Sequence, residues 1–113
     1  MKNIIEIKDF QKIEIATGKI IKATNNIKAI KSSYILDIDF GSEYGIKKSS
    51  AQITENYSID ELVGIQIIAI MNFKPLRIAG IKSEILVLAI VCKDNGTVLI
   101  SPNKPVSNGE KLA

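Results

Sequence analysis

The residue types that most often do chemistry are thinly represented in this sequence. It contains no histidine, and its one cysteine is Cys92. That inventory removes the commonest general base, the Ser-His and Cys-His nucleophile pairs and most zinc sites. With a single thiol, a thiolate metal cluster is excluded as well. The glycines form none of the Gly-rich loops that cradle phosphate. Paired carboxylates are what remains. Asp37 and Asp39 share the outward face of one alternating stretch, where they could hold Mg²⁺ with water. Strand alternation by itself already calls for polar residues at those positions. Tyr34 and Tyr57 are weaker candidates as proton donors. The chain reads as a non-enzyme, with no catalytic residue, metal or cofactor assigned.

The cations are arranged more suggestively. Lys28 and Lys31 precede one alternating stretch, Lys47 and Lys48 open the next, and Lys74, Arg77 and Lys82 punctuate a later polar segment. A net charge of +3 is a mild bias, compatible with a polyanionic partner. Lysine and arginine neutralise phosphates, while Ser49, Ser50, Asn72 and Ser83 offer hydrogen bonds to backbone or sugar oxygens. The same lysines would equally serve to keep a surface solvated. With aromatics at 5% and no tryptophan, there are few platforms for stacking single-stranded bases. Tyr34 and Phe40 are expected in the core, and so are Phe10 and Phe73. A reader of folded RNA by shape and phosphate fits better than a single-strand binder.

Strands must position these residues. Isoleucine is abundant, and β-branched side chains suit pleated, half-buried surfaces. Asp9 is placed to cap a short helix carrying Phe10 and Ile13. Gly18 opens a strand over Lys19–Thr24. In Ser33–Phe40 the residues Tyr34, Leu36, Ile38 and Phe40 fall on one face, with Asp37 and Asp39 on the other. Gly41–Gly45 reads as a hairpin loop into a strand over 46–53. Ser58–Glu61 has capping-box spacing, and Gly64 is placed to end the helix it starts. Strands follow over 65–73 and 84–92, separated by a loop over 74–83. Asp94–Gly96 makes a tight turn into a last strand, 97–100. The order predicts an all-β chain, one OB-fold five-stranded barrel over residues 1–113 with extensions at both ends.

The run Ile85–Cys92 does not alternate, so both its faces are expected to be dry and Cys92 to be a buried thiol. Cover for its outer face would come from the terminal segments or a second subunit, which favours a twofold homodimer. Charges interrupt the first nine residues, and no run approaches membrane-spanning length, so membrane insertion is not expected and the cytoplasm is.

Several blocks, covering nearly the whole chain, resemble the tRNA-binding-domain family. They are Asp9-Phe10 with Glu14-Ile15-Ala16-Thr17-Gly18-Lys19-Ile20, and Pro105-Val106-Ser107-Asn108-Gly109-Glu110-Lys111. Asp37–Gly41, Lys47–Ile53, Asn72–Gly80 and Lys82–Leu86 are similar to its stand-alone CsaA branch. Ala16 stands where the family usually has arginine, so one customary basic contact or ion pair is missing. The resemblance implies an OB-fold homodimer that binds tRNA through its folded shape. It also implies chaperone-like activity toward polypeptides in protein export. The implied nucleic-acid surface comprises Lys48, Ser50, Asn72, Lys74, Arg77, Lys82 and Ser83, with Glu84 orienting its neighbours. An alternative partner is an unfolded or pre-secretory polypeptide held by Leu76, Ile78 and Ile81. Those three would otherwise be buried between subunits.

Overall fold

The computed structural model describes all of residues 1–113. Chain order runs α1 (Ile7–Gln11), β1 (Ile15–Asn25), β2 (Tyr34–Asp39), α2 (Gly41–Tyr44), β3 (Ile46–Ala51), α3 (Ile59–Leu62) and β4 (Gln66–Ile70). It continues with β5 (Leu76–Ile78), β6 (Ile81–Ser83), β7 (Leu86–Val87), β8 (Ala89–Cys92) and β9 (Gly96–Leu99). The main sheet is antiparallel, in the order β3-β2-β1-β4-β7. Two further bonds draw its ends together: the Ser50 N–H donates to Ser83 Oγ (3.2 Å) and the Glu84 N–H to the Lys48 carbonyl (2.9 Å). The result is a nearly closed five-stranded barrel of the OB type, mostly strand with three short helices.

Alternation explains the core. Tyr34, Leu36 and Ile38 point inward from β2, while Ile35, Asp37 and Asp39 are half-buried on its other side. Phe40, Ile20, Leu36, Ile38, Leu62 and Ile67 are fully buried together. The α3 capping box forms as the spacing predicts, with Glu61 N–H donating to Ser58 Oγ and Ser58 N–H to Glu61 Oε1. In α1, Asp9 sits one turn inside the helix and accepts from the Glu6 N–H at 3.0 Å; Glu6 is the cap.

Gly18 lies inside β1, not at its start, because the strand begins at Ile15 and runs on between β4 and the chain's tail. The tail pairs with it through Gly109 N–H to the Thr17 carbonyl (2.7 Å) and Leu112 N–H to the Ile15 carbonyl (3.0 Å). The segment 74–83 is a hairpin, β5–β6, rather than a loop. The apolar run breaks at Leu88, where β8 leaves the main sheet to pair with β9; Leu86, Ile90 and Val91 are exposed and Cys92 is half-buried. Phe73 is also half exposed instead of buried. It follows the end of β4, where the chain leaves the sheet for the hairpin and carries its ring out of the core.

Candidate nucleic-acid interface

The β5–β6 hairpin is built by alternation about a two-residue turn. Leu76 pairs with Ser83, Arg77 with Lys82, and Ile78 with Ile81. Ala79 and Gly80 both have positive φ, 46° and 86°, which is the geometry of a type I′ turn. Period two then puts Arg77 and Lys82 side by side on one face, and Leu76, Ile78, Ile81 and Ser83 on the other. Cations directly opposite one another repel. No carboxylate lies within ion-pair distance of either. Arg77 Nη1 reaches only the Gly80 carbonyl, at 3.5 Å, so the pair lacks a counter-charge and is suited to an anion from outside.

The opposite face of the hairpin turns toward β3. There Phe73, Lys74, Leu76, Ile78 and Leu86 surround a groove of about 280 Å³ whose polar wall includes Ser50, Ser83 and Glu84. A second groove, about 450 Å³, runs from Ser50 and Gln52 to Lys28 and Lys31 of the β1–β2 loop. The two grooves meet at Ser50. The stem of Lys28 crosses the hairpin tip, so a Cβ on Gly80 would lie 3.1 Å from Lys28 Cδ. The structure therefore brings Lys28, Lys31, Lys74 and Ser50 together, with Arg77 and Lys82 on the far side of the same hairpin.

The other expected residues have structural commitments. Lys48 pairs across the strands with Asp37 at 2.8 Å, and Lys47 with Glu84 at 3.7 Å, so Glu84 does hold a neighbour in place. Asp39 accepts from the Gly41 N–H at 2.9 Å. Both carboxylates on the outward face of β2, Asp37 and Asp39, are thus engaged with the chain itself. Asn72 is used at both ends: Oδ1 accepts from the Glu14 N–H and Nδ2 donates to the Lys12 carbonyl, each at 2.8 Å. It pins the α1 segment to the end of β4. Ser83 is buried and its oxygen takes the Ser50 N–H. Sequence reasoning noted Lys28 and Lys31 but left them outside the site, and placed Phe73 in the core. Their loops carry no periodicity, which is the signal that located the strands.

The family model of the tRNA binding domain matches residues 15–111. The chain belongs to the tRNA-binding-domain family. The methionine–tRNA ligase of Archaeoglobus fulgidus is 35% identical over 98% of this chain, but the match spans only 16% of that enzyme. The Methanoregula boonei enzyme is 36% identical, over 96% of this chain and again 16% of its own length. Two solved structures align along their full length. The chaperone CsaA of Bacillus anthracis has a TM-score of 0.92 at 40% identity and covers 98% of this chain. The CsaA chaperone protein of Picrophilus torridus has a TM-score of 0.92 at 44% identity and covers 97%. As a tRNA-binding domain, the chain superposes on these neighbours over their whole length. Ala16 is fully buried and bridges to Lys111 of the tail. The Lys111 ammonium meets Glu43 at 3.1 Å and lies over the Tyr44 ring. A cation therefore reaches this end of the barrel from the tail. The Tyr44 hydroxyl is buried there without a hydrogen bond of normal geometry. Burial, then the carboxylates of Glu14 and Glu43, hold that phenol well above its ordinary range.

Proposed function

We propose that this chain is a non-catalytic tRNA-binding protein, one OB-fold domain over residues 1–113, that recognises folded tRNA through its shape and phosphates. The observation that carries the reading is the Arg77–Lys82 pair, two adjacent cations without a carboxylate partner. Lys74 adds a cation at the base of the hairpin and Ser50 lines the groove on its other face, while Lys48 is held by Asp37, Ser83 bonds β3, and Asn72 staples α1 to the end of β4. The cytoplasm is the compartment in which it would meet tRNA. A twofold homodimer would cover the exposed apolar side chains of the termini, Ile4, Ile5, Ile7 and Leu112, and present two hairpins to one tRNA. The test is a titration of unfractionated tRNA over a range of salt. Lys82→Ala should lower the slope of log K against log salt by about one, the signature of one lost phosphate contact. Binding insensitive to salt would remove the proposal.

A second reading rests on the 280 Å³ groove, whose rim exposes Phe73, Leu76, Ile78 and Leu86. It is a peptide-binding chaperone that assists protein export, with Leu76 and Ile78 in the groove holding an extended apolar segment and Ile81, outside the groove lining, backing Ile78 across the hairpin. Ile78→Asp should then abolish suppression of client aggregation while tRNA affinity changes little. A variant that protects clients as well as the wild type contradicts this reading.

A further inference from the structure

The β5–β6 hairpin carries the phosphate-facing pair, and little holds it shut. Ser83 is its one buried residue. No hydrogen bond joins Leu76–Lys82 to the rest of the chain. The ties lie at the base, from the Ser50 N–H to Ser83 Oγ and from the Glu84 N–H to the Lys48 carbonyl. At the tip the aliphatic stem of Lys28 lies over Gly80 and makes no bond there. A two-stranded ribbon left to itself is marginal in water. Leu76 and Ile78 add little, since they are 63% and 40% exposed over the groove. Two features then work against closure. Arg77 and Lys82 stand directly opposite each other with like charge. At the turn, Ala79 has a φ of 46°, a left-handed conformation that alanine populates about fivefold less readily than glycine. A type I′ turn favours asparagine or glycine at that place. Few buried contacts and an exposed backbone ladder are the marks of a segment that opens locally.

We infer that this hairpin is a conformational clasp: in the free chain the ribbon opens from its tip down to Ser83, and a phosphate between Arg77 and Lys82 closes it. The inference rests on the tRNA-binding reading and adds a regulated step to it. Side chains directly opposite on a ribbon start about 5 Å apart at Cβ, so one phosphate can accept from both cations and turn their repulsion into a bridge. A ligand that meets one cation alone leaves the repulsion in place, so closure favours a multiply charged oxyanion. Ordering Leu76–Lys82 lowers the observed affinity, which scales with the fraction of free chains whose ribbon is already closed. Closure also seats Leu76 and Ile78, which wall the groove on the opposite face, and thereby shapes that groove.

Amide hydrogen exchange on the full chain, read at Ile78 and Ile81, tests the clasp. In low salt these amides should be protected less than about threefold, while those of β1 and β2 are protected more than about a thousandfold. Molar sodium chloride should slow their exchange by about twofold, because it screens the Arg77–Lys82 repulsion. Ala79→Gly and Ala79→Asn add no charge and relieve the turn. Each should slow exchange about twofold without RNA and strengthen binding of unfractionated tRNA about twofold at an unchanged salt slope. Hairpin amides as protected as those of β1, exchange indifferent to salt, or variants that close the ribbon without changing affinity overturn the inference. So does a gain in affinity from asparagine alone or with a steeper salt slope, which marks a new contact with RNA. If tRNA does not bind, the tRNA reading falls by itself when millimolar inorganic pyrophosphate still slows hairpin exchange, and both fall when it does not.

Discussion

Arg77→Glu is expected to weaken tRNA binding about 100-fold at moderate salt without lowering the melting temperature. The two effects come from the same residue with opposite signs. In the free protein Arg77 and Lys82 are cross-strand neighbours of like charge. A glutamate at 77 would convert their repulsion into an ion pair, and such pairs contribute about 0.2–1 kcal/mol on an exposed sheet. Against tRNA the same change removes one phosphate contact and adds a charge that repels the next. Losing a contact lowers the salt slope by about one; reversing its sign lowers it further and engages Lys82 internally. Titration with labelled tRNA and a thermal melt on the same sample read both effects. If affinity and melting temperature fall together, the loss reflects an unfolded hairpin and the interface assignment fails. If affinity is unchanged, the hairpin is not part of the interface.

The largest effect on folding is expected at Gly18. A Cβ there would sit 2.6 Å from Cδ1 and Cε1 of Phe40 and 2.8 Å from Cγ2 of Ile38. Phe40 is fully buried and cannot swing aside, because close packing leaves no space for its ring. The backbone is pinned too: Gly109 and Gly41, on the two sides of this ring's main chain, each leave no room for a Cβ against a neighbouring carbonyl. Gly18→Ala should therefore cost about 3 kcal/mol, at the upper end of overpacking. In a chain of this size that is a fall in melting temperature of roughly 10–20 °C. Phe40→Leu alone should cost about 1 kcal/mol, yet combined with Gly18→Ala it should restore most of the loss. Additive melting shifts would show that the glycine is required for some reason other than contact with the ring.

Much of the barrel could be read along the chain. Tyr34, Leu36, Ile38 and Phe40 announced β2 because one face of a strand is wet and the other dry, and that contrast is local. Ser58 and Glu61 announced α3 because a capping box needs only four residues. The β5–β6 hairpin was missed although Leu76–Ser83 alternates apolar and polar residues about Ala79-Gly80. Its apolar face is exposed to a groove rather than packed in a core, so the usual contrast in burial is absent. The non-alternating run 85–92 was read as one dry strand. In fact the chain changes sheet at Leu88, and a change of partner leaves no mark in hydropathy.

Residue types alone were enough to argue against histidine- and thiolate-based chemistry, to specify a β-rich chain with a modest positive charge, and to place it in its family. They did so because side-chain chemistry and period-two patterning need no knowledge of distant neighbours. Which cations lack a counter-charge was settled in three dimensions: Lys47 and Lys48 find carboxylates 37 and 11 positions away along the chain, at Glu84 and Asp37, whereas Arg77 and Lys82 find none, Arg77 reaching only the Gly80 carbonyl. The same holds for Asn72, consumed as a staple. Pairing, burial and satisfaction depend on which segments meet, and only the folding of the barrel brings those segments together.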